Sequence, residues 1–383
     1  MRVLIDYRPA LKEPSGVGEY THRLIKALLQ RQAANGSGGL ELTVFSSSWK
    51  DRLHASPFAA ELAGATLVDR RVPVRVLNFA WHRLGWPAAE SLAGGSFDVA
   101  HSPHPLLLPA HDAAQVVTIH DLNFLAHPEG TGAEVRRDYC ALARDHALRA
   151  DRVIVPSRYT AREVEQRLGV QHDLISVCPP GSPDWPPRAR SPRDGYVLFV
   201  GTLEPRKNVG ALLDAYERLT ARAGIAVPEL VLAGGATDRS REWLDRIGQP
   251  PLEKIVRYAG YVDPARLREL YEGARLLVQP SFDEGFGIPV LEAMTLGVPV
   301  IASSRGAHGE VLGGAGLLVD PDRPGDLAEA IVRMLGDDEF AAGCARRGAA
   351  RSRDFRWAEA AQCVYDAYQQ AVEHRRRIGL RRR

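Results

Sequence analysis

Short apolar runs alternate along the chain with longer stretches in which apolar residues recur at helical spacing. The first run, Val3–Asp6, is followed by Tyr20, Leu24 and Leu28, which predicts a strand and then an amphipathic helix. The same pattern predicts further strands at 40–45, 98–100, 115–119, 152–155 and 174–177, and a helix at 135–148. Strands separated by helices imply right-handed β-α-β units and a parallel sheet.

A proline-rich stretch interrupts this pattern near the middle of the chain. Residues 179–187 contain five prolines, and Pro192 follows; such a segment suits neither a helix interior nor a central strand. We interpret it as a linker between an N-terminal domain, residues 1–185, and a second domain, residues 193–356. The pattern restarts after the linker, with strands predicted at 196–200, 230–233, 255–259, 276–279 and 298–302, and helices at 209–219 and 265–271.

Both predicted domains are α/β with a doubly wound parallel sheet. Ligands of such sheets bind at the carboxyl ends of the strands, and a cleft between two domains is the default place for a substrate. The length of 383 residues agrees with two or three domains.

Composition excludes several classes of protein. The net charge of +2 gives no reason to expect nucleic acid as a partner. The four cysteines lack the spacing of a zinc site or a disulfide framework, which favours reduced thiols: Cys140, Cys178, Cys344 and Cys363. No apolar run approaches the ~20 residues that span a bilayer, and the N-terminus does not resemble a signal peptide. We therefore expect a cytoplasmic protein.

The stretch 280–299 combines a glycine-containing loop with two carboxylates. It follows the strand predicted at 276–279, and Pro289 suits the first turn of the helix that comes next. Glycines let a ligand approach the backbone, and the ionised carboxylates of Glu284 and Glu292 can accept hydrogen bonds from vicinal hydroxyls. The alternative is that both acids are solvated surface residues.

Two cations lie in a similar position after the strand at 196–200. Arg206 and Lys207 directly precede a predicted helix, for which Asn208 is the candidate N-cap. A helix N-terminus with two cations is suited to a phosphate group. The alternative is a pair of surface cations beside a turn.

Two further features of the N-terminal half are candidates for function. Residues 16–18, Gly-Val-Gly, follow the first strand and open the first helix, which suits either phosphate binding or tight packing. His120 ends the strand at 115–119 with Asp121 beside it. A histidine there can face a substrate, or it can be a structural residue bonded to a neighbouring carboxylate.

Residues 284–292, EGFGIPVLE, resemble the E-x7-E signature of the group-1 (family 4) retaining glycosyltransferases, which use nucleotide sugars and have the GT-B fold. Three further stretches occur in the order typical of that family: 15–21 (SGVGEYT), 118–122 (TIHDL) and 198–208 (LFVGTLEPRKN). The resemblance covers nearly the whole chain. It implies two facing Rossmann-like domains with an interdomain cleft, and a last helix, from Trp357, that packs back on the first domain.

The resemblance also assigns roles to the candidate residues. It places Arg206 and Lys207 on the donor diphosphate, Glu284 on the sugar hydroxyls and Glu292 on the ribose. It places His120 near the transferred sugar, through its side chain or its carbonyl, so that the catalytic set is His120, Glu284, Arg206 and Lys207. The remaining donor-binding positions that it implies are Gly16, Val17, Gly18, Gly285, Phe286, Gly287 and Ile288.

Retention in this family is attributed to same-face attack, with a donor phosphate oxygen accepting the acceptor's proton. We therefore nominate no protein nucleophile.

The chain departs from the family at 303–311, where Gly309 replaces a usual proline, and we expect this to loosen the loop that carries Glu310. The resemblance implies no metal or other cofactor. Asp320 and Asp322 have the Asp-x-Asp spelling of a cation site, but turn chemistry explains them better. The pair His101 and His104 lacks an acid and encloses a proline, which argues against zinc.

Two segments have competing interpretations. Residues 73–87 are aromatic and basic, which suits either an acceptor-binding or membrane-touching surface or a core-facing helix, and we favour the helix. The tail Arg375–Arg383 is either a solvated end or a peripheral contact with anionic lipids at the inner membrane, worth ~1 kcal/mol per basic residue.

Taken together, the sequence predicts a retaining bacterial hexosyltransferase of cell-surface glycan synthesis, such as O-antigen. We expect mannose from GDP-mannose and a lipid-linked or polysaccharide acceptor; UDP-glucose is the alternative donor. An NAD-dependent oxidoreductase would need a third glycine where Thr21 stands, and a silent nucleotide-sugar-binding protein would not need the cations and acids. The sequence leaves the acceptor, the linkage and the oligomeric state undetermined.

Overall fold

The computed structural model describes residues 1–11, 16–34, 39–56, 58–127, 133–222 and 227–381. The chain folds into two compact units. The first unit contains Met1–Gly181 together with Arg356–Arg383, and the second contains Ser182–Phe355. The chain leaves the first unit inside the proline-rich stretch, a few residues before the end that we predicted for the first domain.

The described strands form one sheet in each unit, of seven and six strands. Those of the first unit are β1 Arg2–Asp6, β2 Glu41–Ser47, β3 Thr66–Arg70, β4 Val99–Ser102, β5 Ala114–Thr118, β6 Arg152–Val155 and β7 Ile175–Val177. Those of the second unit are β8 Tyr196–Val200, β9 Leu230–Ala233, β10 Val256–Gly260, β11 Ala274–Gln279, β12 Val300–Ser303 and β13 Leu317–Val319.

Helices separate most of these strands, as the alternating pattern predicted. The first unit has α1 Val17–Ala34, α2 Val74–Phe79, α3 Ala89–Ala93, α4 Asn123–Ala126, α5 Ala133–Arg149, α6 Arg158–Glu163 and, at the end of the chain, α14 Trp357–Arg381. The second has α7 Val209–Thr220, α8 Arg241–Ile247, α9 Pro264–Gly273, α10 Ile288–Leu296, α11 His308–Leu312, α12 Pro324–Gly336 and α13 Asp338–Ser352.

Both sheets are parallel, which confirms the predicted fold class. The strand orders are β3-β2-β1-β4-β5-β6-β7 and β10-β9-β8-β11-β12-β13. The order therefore reverses between β1 and β4 in the first sheet, and between β8 and β11 in the second. Ligands of doubly wound sheets bind at the carboxyl ends of the strands beside such a reversal. The loops after these four strands are consequently where a site is expected.

Two edge strands, β3 and β13, were not predicted. The residues of β3 are only half-buried or exposed, and β13 contains three residues. Central parallel strands are covered on both faces and form continuous apolar runs, whereas an edge strand lacks this signal. The hydrophobic pattern is therefore weak at these two of the four edge strands, whereas the edge strands β7 and β10 were predicted.

Helices cover both faces of the first sheet. Val116 packs in the cluster that includes α1 and α14, and its neighbour Val117 packs in the cluster that includes α5 and α6. Successive side chains of a strand point to opposite faces, so the two clusters lie on opposite sides of the sheet.

The last helix, α14, packs on α1 and on the first sheet. Its buried residues recur at the spacing of one helix face: Ala361, Val364, Tyr368 and Ala371. The Tyr368 hydroxyl and the Thr118 hydroxyl each hydrogen-bond a ring nitrogen of His101, both at 2.8 Å. This contact ties the end of the chain to the centre of the first sheet.

Residues 73–87 have one side in the core and one side exposed to solvent, so each of the two interpretations that we weighed holds for part of the segment. Leu77 and Trp81 are buried in the core, as the favoured helix requires. Phe79 and Trp86, however, are exposed, so the core-facing helix accounts for only one side of the segment.

Among the described residues, no helix is both long enough and apolar enough to cross a membrane.

Acidification is expected to destabilise the first unit through His101. Burial, helped by the nearby His120 and His104, lowers its pKa to about 3. In the unfolded chain an imidazole has a pKa of ~6.5, so between these values the unfolded state binds more protons. The stabilising effect is complete above pH ~6.5 and falls as the pH drops towards 3, by at most ~1.4 kcal/mol per pH unit.

Native-state hydrogen exchange of the β4 amides at several pH values measures this dependence. A His101→Gln variant should have a flatter profile than the wild-type protein between pH ~4 and ~6.5. Parallel profiles would show that His101 is not the group responsible.

Candidate functional site

The loop after β8 holds the two predicted cations. Residues Pro205–Lys207 form a 3-10 turn, and Asn208 adopts a left-handed backbone conformation with φ 55°. The predicted N-cap role of Asn208 is wrong, because its side chain makes no capping hydrogen bond. Its amide nitrogen instead donates to the carbonyl oxygens of Pro280 (3.1 Å) and Pro321 (2.8 Å). Asn208 thereby ties together the loops that follow β8, β11 and β13.

The loop after β11 is shaped by glycine. Gly287 has φ 108°, and a Cβ atom there would lie 2.7 Å from Cδ2 of His308. Only glycine avoids both the strain and the clash. Pro289 lies in the first turn of α10, as predicted.

These two loops bring Arg206, Lys207 and Glu284 into direct contact. Arg206 Nη1 lies 3.1 Å from Glu284 Oε2, and Lys207 Nζ donates to Glu284 Oε1. Ser281 Oγ donates to the same Oε1 atom at 3.0 Å, and Arg206 also pairs with Glu204 at 2.8 Å. Lys207 and Glu284 are each 8% exposed, so these are buried charges rather than the surface residues of the alternative interpretations.

The electrostatic balance keeps Glu284 ionised. Burial alone would raise the pKa of its carboxyl, but the charges of Lys207 and Arg206 hold that pKa well below its usual range. Burial lowers the pKa of His308 to about 4 against the opposing effect of Glu284, so its imidazole is neutral near pH 7. The site therefore contains two cations and ionised carboxylates at the reversal between β8 and β11.

A third loop, 303–311, packs against Glu284. The amide of Ala307 donates to the Glu284 carbonyl at 2.9 Å, and a Cβ atom on Gly306 would lie 2.7 Å from the Glu284 amide nitrogen. Gly309 lies in the first turn of α11, followed by Glu310. Gly309 therefore lies in a helix that begins directly after a residue bonded to Glu284. The loosening of this loop that we expected from Gly309 stays a prediction.

The other donor-site candidates of this unit lie at the start of α10. Glu292 is half-buried and accepts a 2.8 Å hydrogen bond from the Tyr271 hydroxyl. Phe286 is 6% exposed and its ring packs against Phe355, so its side chain belongs to the core. Of the neighbouring positions, Gly285 and Gly287 are buried, and Ile288 is half-buried.

In the first unit, residues 16–18 form the start of α1. Gly16 has φ 55°, and Val17 is the first helical residue. A Cβ atom on Gly18 would lie 2.6 Å from the Pro9 carbonyl oxygen. Gly18 is thus required at least for close packing. Ser15, which belongs to the same sequence motif, lies outside the described residues.

His120 follows β5 and is half-buried. Its Nε2 lies 3.1 Å from the Pro103 carbonyl oxygen, and its ring meets the Tyr20 ring edge-on at 4.7 Å between centroids. The expected alternative, a bond to a neighbouring carboxylate, is wrong, because Asp121 accepts the Asn123 amide instead. Burial lowers the pKa of His120, which favours the neutral ring. The bond to a carbonyl places the proton on Nε2, which leaves Nδ1 as an acceptor.

Sequence reasoning missed a buried charge cluster beside the reversal of the first sheet. Asp6, the last residue of β1, pairs with Arg8 at 2.6 Å and lies 3.4 Å from Nε2 of His104. Arg8 Nη1 also donates to Asn78 at 2.6 Å. The charges of Arg8 and His104 lower the pKa of Asp6 although its burial opposes this. A carboxylate that ends an otherwise apolar strand was the available signal. In the second unit, reasoning likewise missed Ser281 and His308.

The candidates for a cation site have other partners. Asp320 accepts the amide of Asp322 at 3.1 Å, as in a turn, and Asp322 pairs with Arg305. Within the part of the chain that the structure describes, no group of three or more His, Cys, Asp or Glu side chains could hold a metal ion.

The basic tail is partly bonded to the protein. Arg375 donates to the His111 carbonyl at 2.9 Å and lies 3.7 Å from Asp151, whereas Arg376 and Arg377 are exposed. Residues 382–383 of the predicted tail contact lie outside the described residues. The contact of Arg375–Arg383 with lipid stays a prediction.

Two doubly wound parallel sheets, one with paired cations where its strand order reverses, define a two-domain transferase of the GT-B class. The family model "Glycosyltransferase Family 4" matches residues 14–183, and the model "Glycosyl transferases group 1" matches residues 194–337. The O-antigen chain mannosyltransferase B of Escherichia coli is 30% identical over 96% of this chain and 99% of its own length. This chain therefore belongs to the group-1 (family 4) glycosyltransferases.

Solved structures share the fold at lower identity. The sucrose-phosphate synthase of Thermosynechococcus elongatus has a TM-score of 0.74 and 22% identity, covering 97% of this chain and 98% of that one. The Anabaena protein HepE in complex with UDP-glucose has a TM-score of 0.67 and 18% identity, covering 94% and 97%. Both confirm the predicted GT-B architecture.

We expect strong energetic coupling between Lys207 and Glu284. A double-mutant cycle with Lys207→Met and Glu284→Gln should give a coupling energy towards the upper end of the ~0.5–3 kcal/mol range, because each single change removes an opposite charge from a buried ionised group. Denaturant unfolding followed at the second unit measures it.

The exposed pair Arg222–Glu329 of the same unit, 2.8 Å apart, is the control. Arg222→Met and Glu329→Gln should couple by less than ~1 kcal/mol. Equal coupling in the two pairs would contradict the view that burial strengthens the Lys207–Glu284 pair.

Proposed function

We propose that this glycosyltransferase is a retaining enzyme that moves a hexose, with mannose as the favoured sugar, from a nucleotide sugar to a lipid-linked or polysaccharide acceptor. The relative named an O-antigen chain mannosyltransferase aligns with nearly the whole chain and supports both the sugar and a role in cell-surface glycan synthesis. GDP-mannose is then the donor, as the sequence resemblance implied.

The observation that carries the proposal is the contact of Arg206 and Lys207 with Glu284 at the reversal of the second sheet. The diphosphate of a nucleotide sugar gains negative charge as its bond to the sugar breaks, and preorganised cations stabilise that charge. Arg206 and Lys207 bind the diphosphate, and Glu284 accepts hydrogen bonds from the sugar hydroxyls. Because salt bridges already hold both cations in place, little reorganisation is needed when the diphosphate binds.

The reaction needs no protein nucleophile. The bond between the sugar C1 and the diphosphate oxygen breaks, and the acceptor oxygen bonds to C1 on the same face. The acceptor's proton passes to a phosphate oxygen of the departing nucleoside diphosphate. The remaining assignments are part of the same proposal: Glu292 on the ribose, the backbone of 16–18 and 285–288 on the donor, and the neutral His120 on the transferred sugar.

UDP-glucose is the second candidate donor. It is favoured by the complex of UDP-glucose with the Anabaena protein, which shares the fold of this chain. That likeness concerns the fold alone, so we rank UDP-glucose below GDP-mannose. An oxidoreductase does not agree with the family of the chain. A catalytically silent protein would be expected to have lost Arg206, Lys207 or the two glutamates, and all of them are present.

A thermal-shift screen distinguishes the donors. GDP-mannose and GDP should raise the melting temperature, because a ligand that binds only the folded state stabilises it, by ~2.7 kcal/mol at a hundred times its dissociation constant. UDP-glucose, UDP-N-acetylglucosamine and UDP are the comparison ligands. A larger shift with a UDP-sugar would replace mannose as the favoured sugar, and no shift with any of them would contradict nucleotide-sugar binding.

Lys207→Ala should lower turnover by about a hundredfold or more, because one preorganised charge is lost at the leaving group. Release of nucleoside diphosphate, measured with the donor from the screen and a bacterial lipid extract as acceptor, gives the rate. Lys254→Ala, an exposed lysine of the same unit, is the matched control and should keep the wild-type rate. An unchanged rate in Lys207→Ala would remove Lys207 from the diphosphate site.

A further inference from the structure

The outer side of α2 and of the π-helical turn after it, Ala80–Leu84, carries large apolar side chains that face solvent. Val76, Phe79, Leu84 and Trp86 are 58%, 61%, 65% and 68% exposed. They are four of the nine large hydrophobic side chains that are exposed among the described residues. Single exposed apolar residues are ordinary, but four of them within residues 76–86, a segment anchored in the core, indicate an interaction surface.

The inner side of the same segment is held in the core. Leu77 and Trp81 are each 2% exposed, and the Trp81 ring packs 5.4 Å from that of Phe45. Trp81 Nε1 donates to the Pro87 carbonyl at 2.9 Å, and the Arg8 guanidinium lies 4.5 Å from the Trp81 ring centroid. The outer side chains therefore cannot turn inward without removing these two anchors.

The charged residues within this segment are all arginines. Residues 70–89 contain no aspartate or glutamate, and the arginines among them are exposed: Arg70, Arg71, Arg75 and Arg83. Asp138 lies 3.2 Å from Arg83 and offsets one of these charges. We call residues 70–86 the arginine-edged surface.

We propose that the arginine-edged surface docks on an anionic lipid bilayer. Exposed tryptophan, phenylalanine and leucine side chains of one amphipathic segment partition into the headgroup boundary, and nearby arginines attract anionic headgroups. A bilayer supplies both chemistries at once. This proposal concerns where the enzyme works and does not depend on which sugar it transfers.

The basic tail lies at the other end of the same sheet. Arg375 contacts His111 and Asp151, which precede β5 and β6 and so lie at the amino ends of the strands. Arg8, which contacts α2 through Asn78, follows β1 and so lies at the carboxyl ends. The two candidate membrane contacts are therefore distinct and can be tested separately.

Flotation of the full chain with phosphatidylcholine vesicles, with and without phosphatidylglycerol, tests the proposal. Wild-type protein should float with the phosphatidylglycerol vesicles. Phe79→Ser with Trp86→Ser should weaken binding at least about tenfold. Arg71→Gln with Arg75→Gln should weaken it about 25-fold, at about fivefold for each charge. High salt screens all the arginines and should weaken binding at least as much.

Two matched controls locate the effect. Leu148→Ser with Leu318→Ser changes exposed apolar residues elsewhere and should leave flotation unchanged. Arg376→Gln with Arg377→Gln changes the tail and should also leave it unchanged. Circular dichroism and melting temperature confirm that each variant is folded, which is expected because the substituted side chains are exposed.

Four results would overturn the proposal. The wild-type protein could fail to float with anionic vesicles, or the surface variants could float like the wild type. The tail variant alone could lose binding, which would transfer the membrane contact to Arg375–Arg383. Light scattering measures the oligomeric state and so tests whether a second copy of the chain occupies the surface. A wild-type dimer that becomes monomeric in Phe79→Ser with Trp86→Ser would identify the surface as an interface between two copies.

Discussion

The buried carboxylate of Glu284 is the group on which the candidate site of the second unit depends. An ionised group withdrawn from water is tolerated only when it is paired and hydrogen-bonded, so Glu284 requires Lys207, Arg206 and Ser281 around it. Two of these partners come from the loop after β8, whereas Glu284 and Ser281 come from the loop after β11. The adjacent strands β8 and β11 bring both loops to the point where the strand order reverses. The need to pair one charge holds the loops together there and concentrates positive charge where a diphosphate can bind.

The first unit applies the same constraint to Asp6. This carboxylate ends β1, is fully buried, and is held by Arg8 and His104 beside the reversal between β1 and β4. Arg8 in turn contacts Asn78 and the Trp81 ring, so the pairing of Asp6 also positions α2. The buried side of the arginine-edged surface is therefore held by Arg8, which is itself paired with the buried Asp6. The ion pair that stabilises the fold also fixes the position of the exposed side chains.

Most strands and helices could be predicted because each is a local pattern. Continuous apolar runs predicted the central strands, whereas α14 was expected from the resemblance of the chain to its family. The edge strands β3 and β13 escaped because one side of an edge strand lacks a covering neighbour and its residues need not be apolar. Asn208 was misassigned for a related reason. An asparagine directly before a helix has the sequence pattern of an N-cap. The Asn208 side chain instead bonds to Pro280 and Pro321, which are distant in sequence and so leave no local signal.

The sequence by itself determined the two parallel-sheet domains, the family, and the identity of the charged residues Arg206, Lys207, Glu284 and Glu292. Only the tertiary structure decided which of these residues pair, because Lys207 and Glu284 are 77 positions apart and meet through the order of the strands. It likewise decided that residues 73–87 have both a buried and an exposed side. A periodic pattern specifies which residues can share a helix face, but the surface available for packing is set by the neighbouring elements.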